Sequence, residues 1–345
     1  MKKKILVTGG CGYIGSHTVL KLLENNFEVI IADDLSNSSI ASLDRIEKIT
    51  NIRPAFINID LKDMASVREF FQAHQELAAV IHFAAYKAVG ESVQKPLLYY
   101  QNNLFSLINV LKSQLEVNCT NFIFSSSATV YGTPETLPVT EQDQTKRPFS
   151  AYGNTKKMAE EIIEDTCKSS KDFSAISLRY FNPIGAHPSG LIGELPSGIP
   201  NNLMPYITQT ARGLRKKLLV YGNDYPTKDG TPIRDYIHVV DIAEAHVKAL
   251  QRVLNKAQDN AFEVFNLGTG KGYSVLEIIE AFEKVTHQKL NYEITARRAG
   301  DVPVLYAATK LAEEKLHWKA TGELEEMIRS SWTWEQNVSK ENLKN

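Results

Sequence analysis

No stretch of the sequence approaches the roughly 18 consecutive apolar residues that a membrane-crossing helix needs. The apolar run after the basic residues Lys2, Lys3 and Lys4 is also far shorter than the hydrophobic region of a secretory signal. Neither membrane insertion nor secretion is therefore expected, and a cytoplasmic protein is. Cysteine is scarce: the 345 residues include 3, Cys11, Cys119 and Cys167, which form neither an even disulfide framework nor a metal-ligand pair. They are expected to be buried or incidental thiols. A dominant charge is missing too, since 39 Lys and Arg nearly balance 40 Asp and Glu, and a net charge of −1 gives no field to attract nucleic acid or an anionic membrane. The histidines, among them His17, His82, His187 and His238, have no ligand spacing, so no metal is expected. Internal repeats and low-complexity segments are likewise absent. What remains has 43% hydrophobic and 23% charged residues, enough for a sizeable core, and length for two domains or one large domain with an added lobe. A small-molecule partner fits this balance best.

Short β-branched runs alternate with amphipathic stretches through the first half: Ile5 to Val7, Glu28 to Asp33, Phe56 to Asp60, Ala79 to Phe83, Asn121 to Ser125 and Ala175 to Arg179. Strands apolar on both faces predict a parallel sheet with helices between, an α/β fold of the doubly wound Rossmann type. From Pro183 to Pro205 the chain is rich in Gly and Pro and reads as loop, where a smaller α/β substrate-binding lobe begins. Asp235 to Asp241 with 242–254, and Val264 to Gly268 with Ser274 to Val285, read as further strand-helix pairs, and Leu324 to Trp334 as a closing helix. The expected division is a first domain over 1–182, with 235–268 returning to it, and a lobe over 183–234 and 269–345.

Gly9-Gly10-Cys11-Gly12-Tyr13-Ile14-Gly15 lies between the first strand and its helix, and fits both G-x-G-x-x-G and G-x-x-G-x-x-G. Glycine suits the tight turn, the backbone's approach to a pyrophosphate and close helix-sheet packing. The helix N-terminus then offers free N–H groups and a positive dipole end to the phosphates. Asp33 closes the second strand 18 residues after Gly15, where a carboxylate accepts hydrogen bonds from ribose hydroxyls and repels a 2′-phosphate. That favours NAD over NADP. Asp60, ending the third strand, is a candidate for contacting the adenine and equally suits a turn. Phe83, ending the fourth, joins the expected cofactor contacts.

Tyr152-Gly153-Asn154-Thr155-Lys156 puts a phenol and an ammonium at i and i+4, on one face of a helix. A free tyrosine, with a pKa near ~10, is a poor base at neutral pH. A neighbouring Lys cation and a positive nicotinamide ring both favour the phenolate. It can then remove a hydroxyl proton as hydride leaves the same carbon. Ser127, ending the run Ser125-Ser126-Ser127, is placed to hydrogen-bond the same hydroxyl.

Longer strings carry a resemblance. Residues 121–132 (NFIFSSSATVYG), 87–93 (KAVGESV), 179–183 (RYFNP), 198–206 (GIPNNLMPY) and 234–239 (RDYIHV) resemble the UDP-glucose 4-epimerase family of the extended short-chain dehydrogenases/reductases. The likeness runs from the first strand to about Trp334. It implies tightly held NAD that is not exchanged between turnovers, with Tyr152, Lys156 and Ser127 as catalytic residues and a 4-keto sugar that turns over within the pocket. It implies cofactor contacts from Gly9, Gly12, Tyr13, Ile14, Gly15, Asp33, Asn37, Asp60, Phe83, Lys87, Asn102, Tyr152, Lys156 and Phe181. For the UDP-sugar it implies Lys87, Ser127, Tyr152, Asn182, Asn202, Leu203, Tyr221, Arg234, Arg298, Asp301 and Leu305, and it implies a homodimer. Paired guanidinium groups suit a diphosphate on physical grounds as well.

Nucleotide-sugar dehydratases are the nearest rivals. They carry Thr-Asp-Glu before Val-Tyr-Gly, whereas this chain has Ser127, Ala128 and Thr129, so elimination lacks its proton carriers. A non-enzymatic NAD-binding sensor is the alternative of another class, but it could dispense with Tyr152 and Lys156, which are both present. Within the family, tyrosine at the position of Leu305 goes with plain hexoses, and smaller residues go with N-acetylhexosamines. Leucine is intermediate, so the expectation is main activity on UDP-glucose and UDP-galactose, the alternative being a UDP-N-acetylglucosamine or dual-specificity 4-epimerase.

Overall fold

The computed structural model describes residues 2–298 and 301–342, the last four by backbone alone. The first half runs β1 (Lys4–Thr8), α1 (Tyr13–Glu24), β2 (Glu28–Asp33), α2 (Ala41–Thr50), β3 (Ala55–Asn58), α3 (Met64–Ala73) and β4 (Leu77–His82). It continues through α4 (Val89–Gln94), α5 (Pro96–Glu116), β5 (Asn121–Ser127), α6 (Ala151–Ser169) and β6 (Ser174–Tyr180). The second half adds β7 (Asn182–Ile184), α7 (Leu203–Ala211), β8 (Leu218–Tyr221), β9 (Ile233–His238), α8 (Val239–Leu254) and β10 (Phe262–Leu267). It closes with β11 (Gly272–Ser274), α9 (Val275–Thr286), β12 (Tyr292–Thr295), β13 (Val304–Leu305), α10 (Lys310–Leu316) and α11 (Leu324–Asn342).

Seven strands pair in parallel in the order β10-β6-β5-β4-β1-β2-β3, as the doubly wound expectation requires. The reason is visible along β1. Ile5 and Val7 enter one core with Leu20 and Leu22 of α1 and Ile242 of α8, while Leu6 enters the opposite core with Phe71 of α3, Leu107 of α5 and Ile163 of α6. Strands buried on both faces have no polar side to turn to water, so helices cover each face. The strand order reverses between β1 and β4, which opens a crevice at the C-terminal edge.

The smaller lobe is built around β9, which pairs with β7, β11 and β13, while β8 pairs with β12. Its core holds Ile207, Val220, Tyr236, Ile278, Phe282 and Ile328. The stretch read as loop from Pro183 to Pro205 begins inside β7 and ends inside α7, because Asn182–Ile184 finds a partner in the distant Tyr236–His238. Likewise α11 continues past Trp334 to Asn342. Crossings between the two sheets are tight: Phe181 alone separates β6 from β7, and α8 follows β9 directly. Among the described residues no helix is long and apolar enough to cross a membrane.

Candidate active site

The glycine turn sits at the crevice. Gly9 has φ +69°, and a Cβ there would lie 2.7 Å from the Ala84 nitrogen; one on Gly15 would lie 2.3 Å from the Gly9 oxygen. Gly9 therefore lets the turn pass against the chain leaving β4, and Gly15 lets α1 start close against the turn itself. Gly12 precedes α1 without any side-chain cap, and the first turn, opened by Tyr13 and Ile14, has no acidic residue. The N–H groups at this helix end and its positive pole are left for an anion, which fits a pyrophosphate.

Asp33 is buried at the end of β2. Its Oδ2 accepts from the Cys11 N–H at 3.0 Å, and its Oδ1 from the Leu35 N–H at 3.0 Å and the Ser38 hydroxyl at 2.7 Å. The carboxylate thus ties the glycine turn to the loop bearing exposed Asn37, and a fourth acceptor site suits a ribose hydroxyl. Asp60 is exposed and pairs at 2.8 Å with Lys62, whose Nζ also donates to Asn102 Oδ1 at 3.2 Å. Phe83 extends β4 by donating its N–H to Thr8 O at 3.0 Å, and its ring lies 4.7 Å from His246.

Ser150 caps α6 by accepting from the Gly153 N–H at 3.1 Å, which sets the helix start so that Tyr152 and Lys156 follow one turn apart. Lys156 is buried; its Nζ donates to the Ser125 carbonyl at 2.6 Å and lies 4.8 Å from the centre of the Phe124 ring. Ser127 hydrogen-bonds Tyr152 and accepts from the Thr129 N–H at 3.2 Å and hydroxyl at 3.0 Å. Burial pushes the Tyr152 phenol up to about 12, with the Ser127 hydrogen bond pulling the other way. Burial pulls Lys156 down to about 7 against the field of Glu160. The expected acidification of the phenol by Lys156 is thus not produced by the protein's own groups. Desolvation sets the direction, and the Lys156 side chain is directed at a carbonyl.

Beneath the pair lies a buried network absent from the sequence reading. Glu160 continues the Tyr152, Lys156 face by one turn; it accepts from Ser126 at 2.6 Å, from Ser177 at 2.8 Å and from Arg179 Nη2 at 2.6 Å. Arg179 in turn donates to the Tyr131 hydroxyl at 2.9 Å. A charge on the buried face of a helix was the available signal. Asn103 of α5 similarly bonds Thr155 at 3.0 Å and the Tyr86 carbonyl at 3.1 Å, fixing the loop that carries Lys87.

Across the crevice, Phe181 and Leu305 are buried together with Ala128 and Val139. Asn182 opens β7, and Leu203 opens α7 just after exposed Asn202. Arg234 stands opposite Leu305 in the β9-β13 register and forms an ion pair with Asp301. The Arg298 guanidinium lies 4.1 Å from the centre of the Tyr221 ring. Between Arg298 and Asp301, Ala299 and Gly300 are outside the described residues. Lys87 and Asn202 meet at one acceptor, Glu194, at 2.8 and 2.6 Å. Glu194 sits in an irregular loop and carried no pattern by which the sequence could mark it. Among the described residues no group of three His, Cys, Asp or Glu could hold a metal.

A family model described as GDP-mannose 4,6 dehydratase matches residues 6–331. A Bacillus subtilis protein named UDP-glucose 4-epimerase is 51% identical over 333 residues, covering 96% of this chain and 97% of its own. A solved UDP-glucose 4-epimerase from Stenotrophomonas maltophila, with bound NAD and formylated UDP-arabinopyranose, has a TM-score of 0.94 at 44% identity, covering 98% of this chain and 99% of its own. Another, from Bifidobacterium longum in complex with NAD+ and UDP, has a TM-score of 0.93 at 45% identity, with the same coverage.

Proposed function

We propose, because this chain belongs to the UDP-glucose 4-epimerase family of the extended short-chain dehydrogenases/reductases, that its crevice interconverts UDP-galactose and UDP-glucose with NAD held throughout. It is an NAD-dependent isomerase. One observation carries the choice of epimerase over dehydratase, whatever the description of the family model. Where elimination needs two carboxylates beside the tyrosine, this protein has the buried methyl of Ala128 and a Thr129 hydroxyl tied to Ser127 at 3.0 Å. Nothing at those positions can deliver and remove the protons of a leaving water.

The glycine turn and the start of α1, Gly9 to Gly15 with Tyr13 and Ile14, would hold the pyrophosphate of NAD. Asp33 and Asn37 would hold the ribose, Asp60 the adenine end, and Phe83, Lys87, Asn102, Lys156 and Phe181 the remainder. When bound, NAD supplies the acceptor to which C4 gives hydride and from which the opposite face of the resulting ketone regains it, with no net redox change. Tyr152 takes the 4-hydroxyl proton and returns it, and Ser127 aligns that hydroxyl. Lys87, Asn182, Asn202, Leu203, Tyr221, Arg234, Arg298 and Asp301 grip the UDP-sugar, the guanidinium groups matching its diphosphate. Residues 1–182, with 235–268, form the cofactor domain in this reading, and 183–234 with 269–345 the substrate lobe, whose last residues lie outside those described.

Purified protein given UDP-galactose and no added cofactor is expected to yield UDP-glucose, and to release one NAD per chain on denaturation. Protein shown to contain NAD that converts nothing would instead be a sensor. The sugar gate is Leu305, buried against Phe181 and Val302. Activity on UDP-N-acetylglucosamine is a side reaction here. Leu305→Tyr lowers kcat/KM for the N-acetyl sugar by about 10-fold or more, the scale set by a filled pocket, and spares UDP-galactose. Preference of the unmodified protein for the N-acetyl pair would reverse the ranking.

A homodimer has physical support in α4 and α5. Val93, Leu97, Phe105 and Ile108 are all exposed, and Leu97, Phe105 and Ile108 share one stripe of α5 at i, i+8 and i+11. A second copy meeting the same stripe would bury it symmetrically; a monomer by sedimentation at micromolar concentration would remove this reading. All three cysteines are free and buried, which suits a reducing cytoplasm. Fractionation finding the protein outside that compartment would refute the placement.

A further inference from the structure

Glu194 lies in the long loop between β7 and α7, with its side chain only 11% exposed. Its Oε1 accepts two hydrogen bonds from opposite sides of the crevice: Lys87 Nζ, on the loop after β4, at 2.8 Å, and Asn202 Nδ2, at the N-terminus of α7, at 2.6 Å. The Lys87 ammonium also lies 5.7 Å from the centre of the ring of Tyr13, the residue that opens α1. Burial first, and then the charge of Glu194, hold the Tyr13 phenol well above its usual range, so the carboxylate is felt at the cofactor loop itself.

The backbone under Glu194 is fixed from behind. Its carbonyl accepts from Trp334 Nε1 at 2.8 Å, and Gly193 lies so close to that indole that a Cβ would be 2.4 Å from it. Further along the same helix, Asn337 Nδ2 donates to Gly190 O at 3.0 Å. Ser331 Oγ accepts from the Gly185 N–H at 3.1 Å, so α11 anchors the loop near both ends of its first half. A surface ion pair would have none of this support and would contribute little. Here the carboxylate is held on a fixed backbone, and it fixes two flexible donors in turn.

We propose that Glu194 is a positioning residue that sets Lys87 and Asn202 relative to each other for seating the diphosphate of the nucleotide-sugar. The proposal rests on the reading of Lys87 and Asn202 as ligand contacts. With the carboxylate in place the two donors reach a nucleotide-sugar already oriented, so less rotamer freedom is lost on binding. Without it, each must be ordered by the ligand. The effect therefore falls on substrate binding and not on the proton transfer at Tyr152.

Steady-state kinetics with UDP-galactose test this on NAD-loaded protein. Glu194→Ala raises KM about 10-fold, the scale of a lost charge-assisted hydrogen bond, while kcat changes by less than about 3-fold and NAD content is unchanged. Glu194→Gln keeps an oxygen for both donors and recovers most of that loss. Glu194→Ala combined with Asn202→Ala raises KM no more than the worse single change, because both remove the same alignment. An unchanged KM in Glu194→Ala, or single losses that multiply in the pair, would overturn the proposal. So would a loss confined to kcat. Should the unmodified protein hold NAD yet convert no UDP-galactose, the epimerase reading fails by itself, and calorimetric binding of UDP to the same variants decides the role of Glu194 on the same criteria.

Discussion

Replacing Tyr152 with Phe lowers kcat for UDP-galactose by about 1,000-fold, the middle of the range for a positioned general acid-base group, and leaves the NAD content of the purified protein unchanged. The substitution removes one oxygen from a half-buried ring whose place on α6 is set by the Ser150 cap, so the helix and the glycine turn should be undisturbed. The size of the loss follows from the environment. Burial pushes this phenol up to about 12, so the protein alone stabilises the protonated form. Lys156 is turned to the Ser125 carbonyl, and Ser127 Oγ accepts from the Thr129 hydroxyl, which leaves its own proton for hydrogen bonding. Single-turnover absorbance of the bound cofactor, with product analysis, reads the step directly. If kcat fell by less than about 10-fold, Tyr152 would not be the group that moves the proton.

The largest expected effect on stability lies one turn further along the same helix. Glu160→Ala strands the Arg179 guanidinium, 7% exposed, without its carboxylate, and leaves the Ser126 and Ser177 hydroxyls without an acceptor. Breaking a buried pair from one side costs about 3–5 kcal/mol, seen as a fall in the urea midpoint at unchanged slope. Replacing both partners, Glu160→Leu with Arg179→Met, costs less than the single change, because no unpaired charge remains. A pair that is worse than Glu160→Ala would show that the network stabilises through more than charge compensation. There is a catalytic corollary. The field of Glu160 opposes the burial that pulls Lys156 down to about 7, so its removal lowers that pKa further and leaves a larger fraction of Lys156 neutral at pH 7.

What the sequence disclosed and what it hid divide along a physical line. Glu28 to Asp33 is read from local pattern and matches β2 residue for residue, and the glycine spacing reports a backbone constraint that belongs to seven consecutive residues. Tyr152 and Lys156 are visible for the same reason, since helical geometry alone puts them on one face. By contrast, β7 exists because of β9, and Glu194 matters because Lys87, 107 residues away, reaches it. Such partners are set by tertiary approach, which no local period encodes. Family likeness names Arg234 and Arg298 as candidate diphosphate ligands; it does not give the pairing of Arg234 with Asp301 or the stacking of Arg298 on Tyr221, because those contacts depend on tertiary approach. The phenol's chemistry shows the limit most clearly. Spacing puts Lys156 on the same helix face, but the sign of the phenol's shift is set by burial, which depends on everything packed around the ring.

The short crossings between the two sheets bear on how a sugar gets in. A jaw-like opening requires a few exposed residues whose φ and ψ are free to swing. Here Phe181 is buried and donates its N–H to Leu267 O at 3.3 Å. His238 is buried where β9 turns into α8, and a Cβ on Gly268 would lie 2.5 Å from Asp235 Oδ2. Three of the passages between the two sheets are thus held by buried contacts, which shifts the motion that admits a sugar toward the surface segments around the mouth.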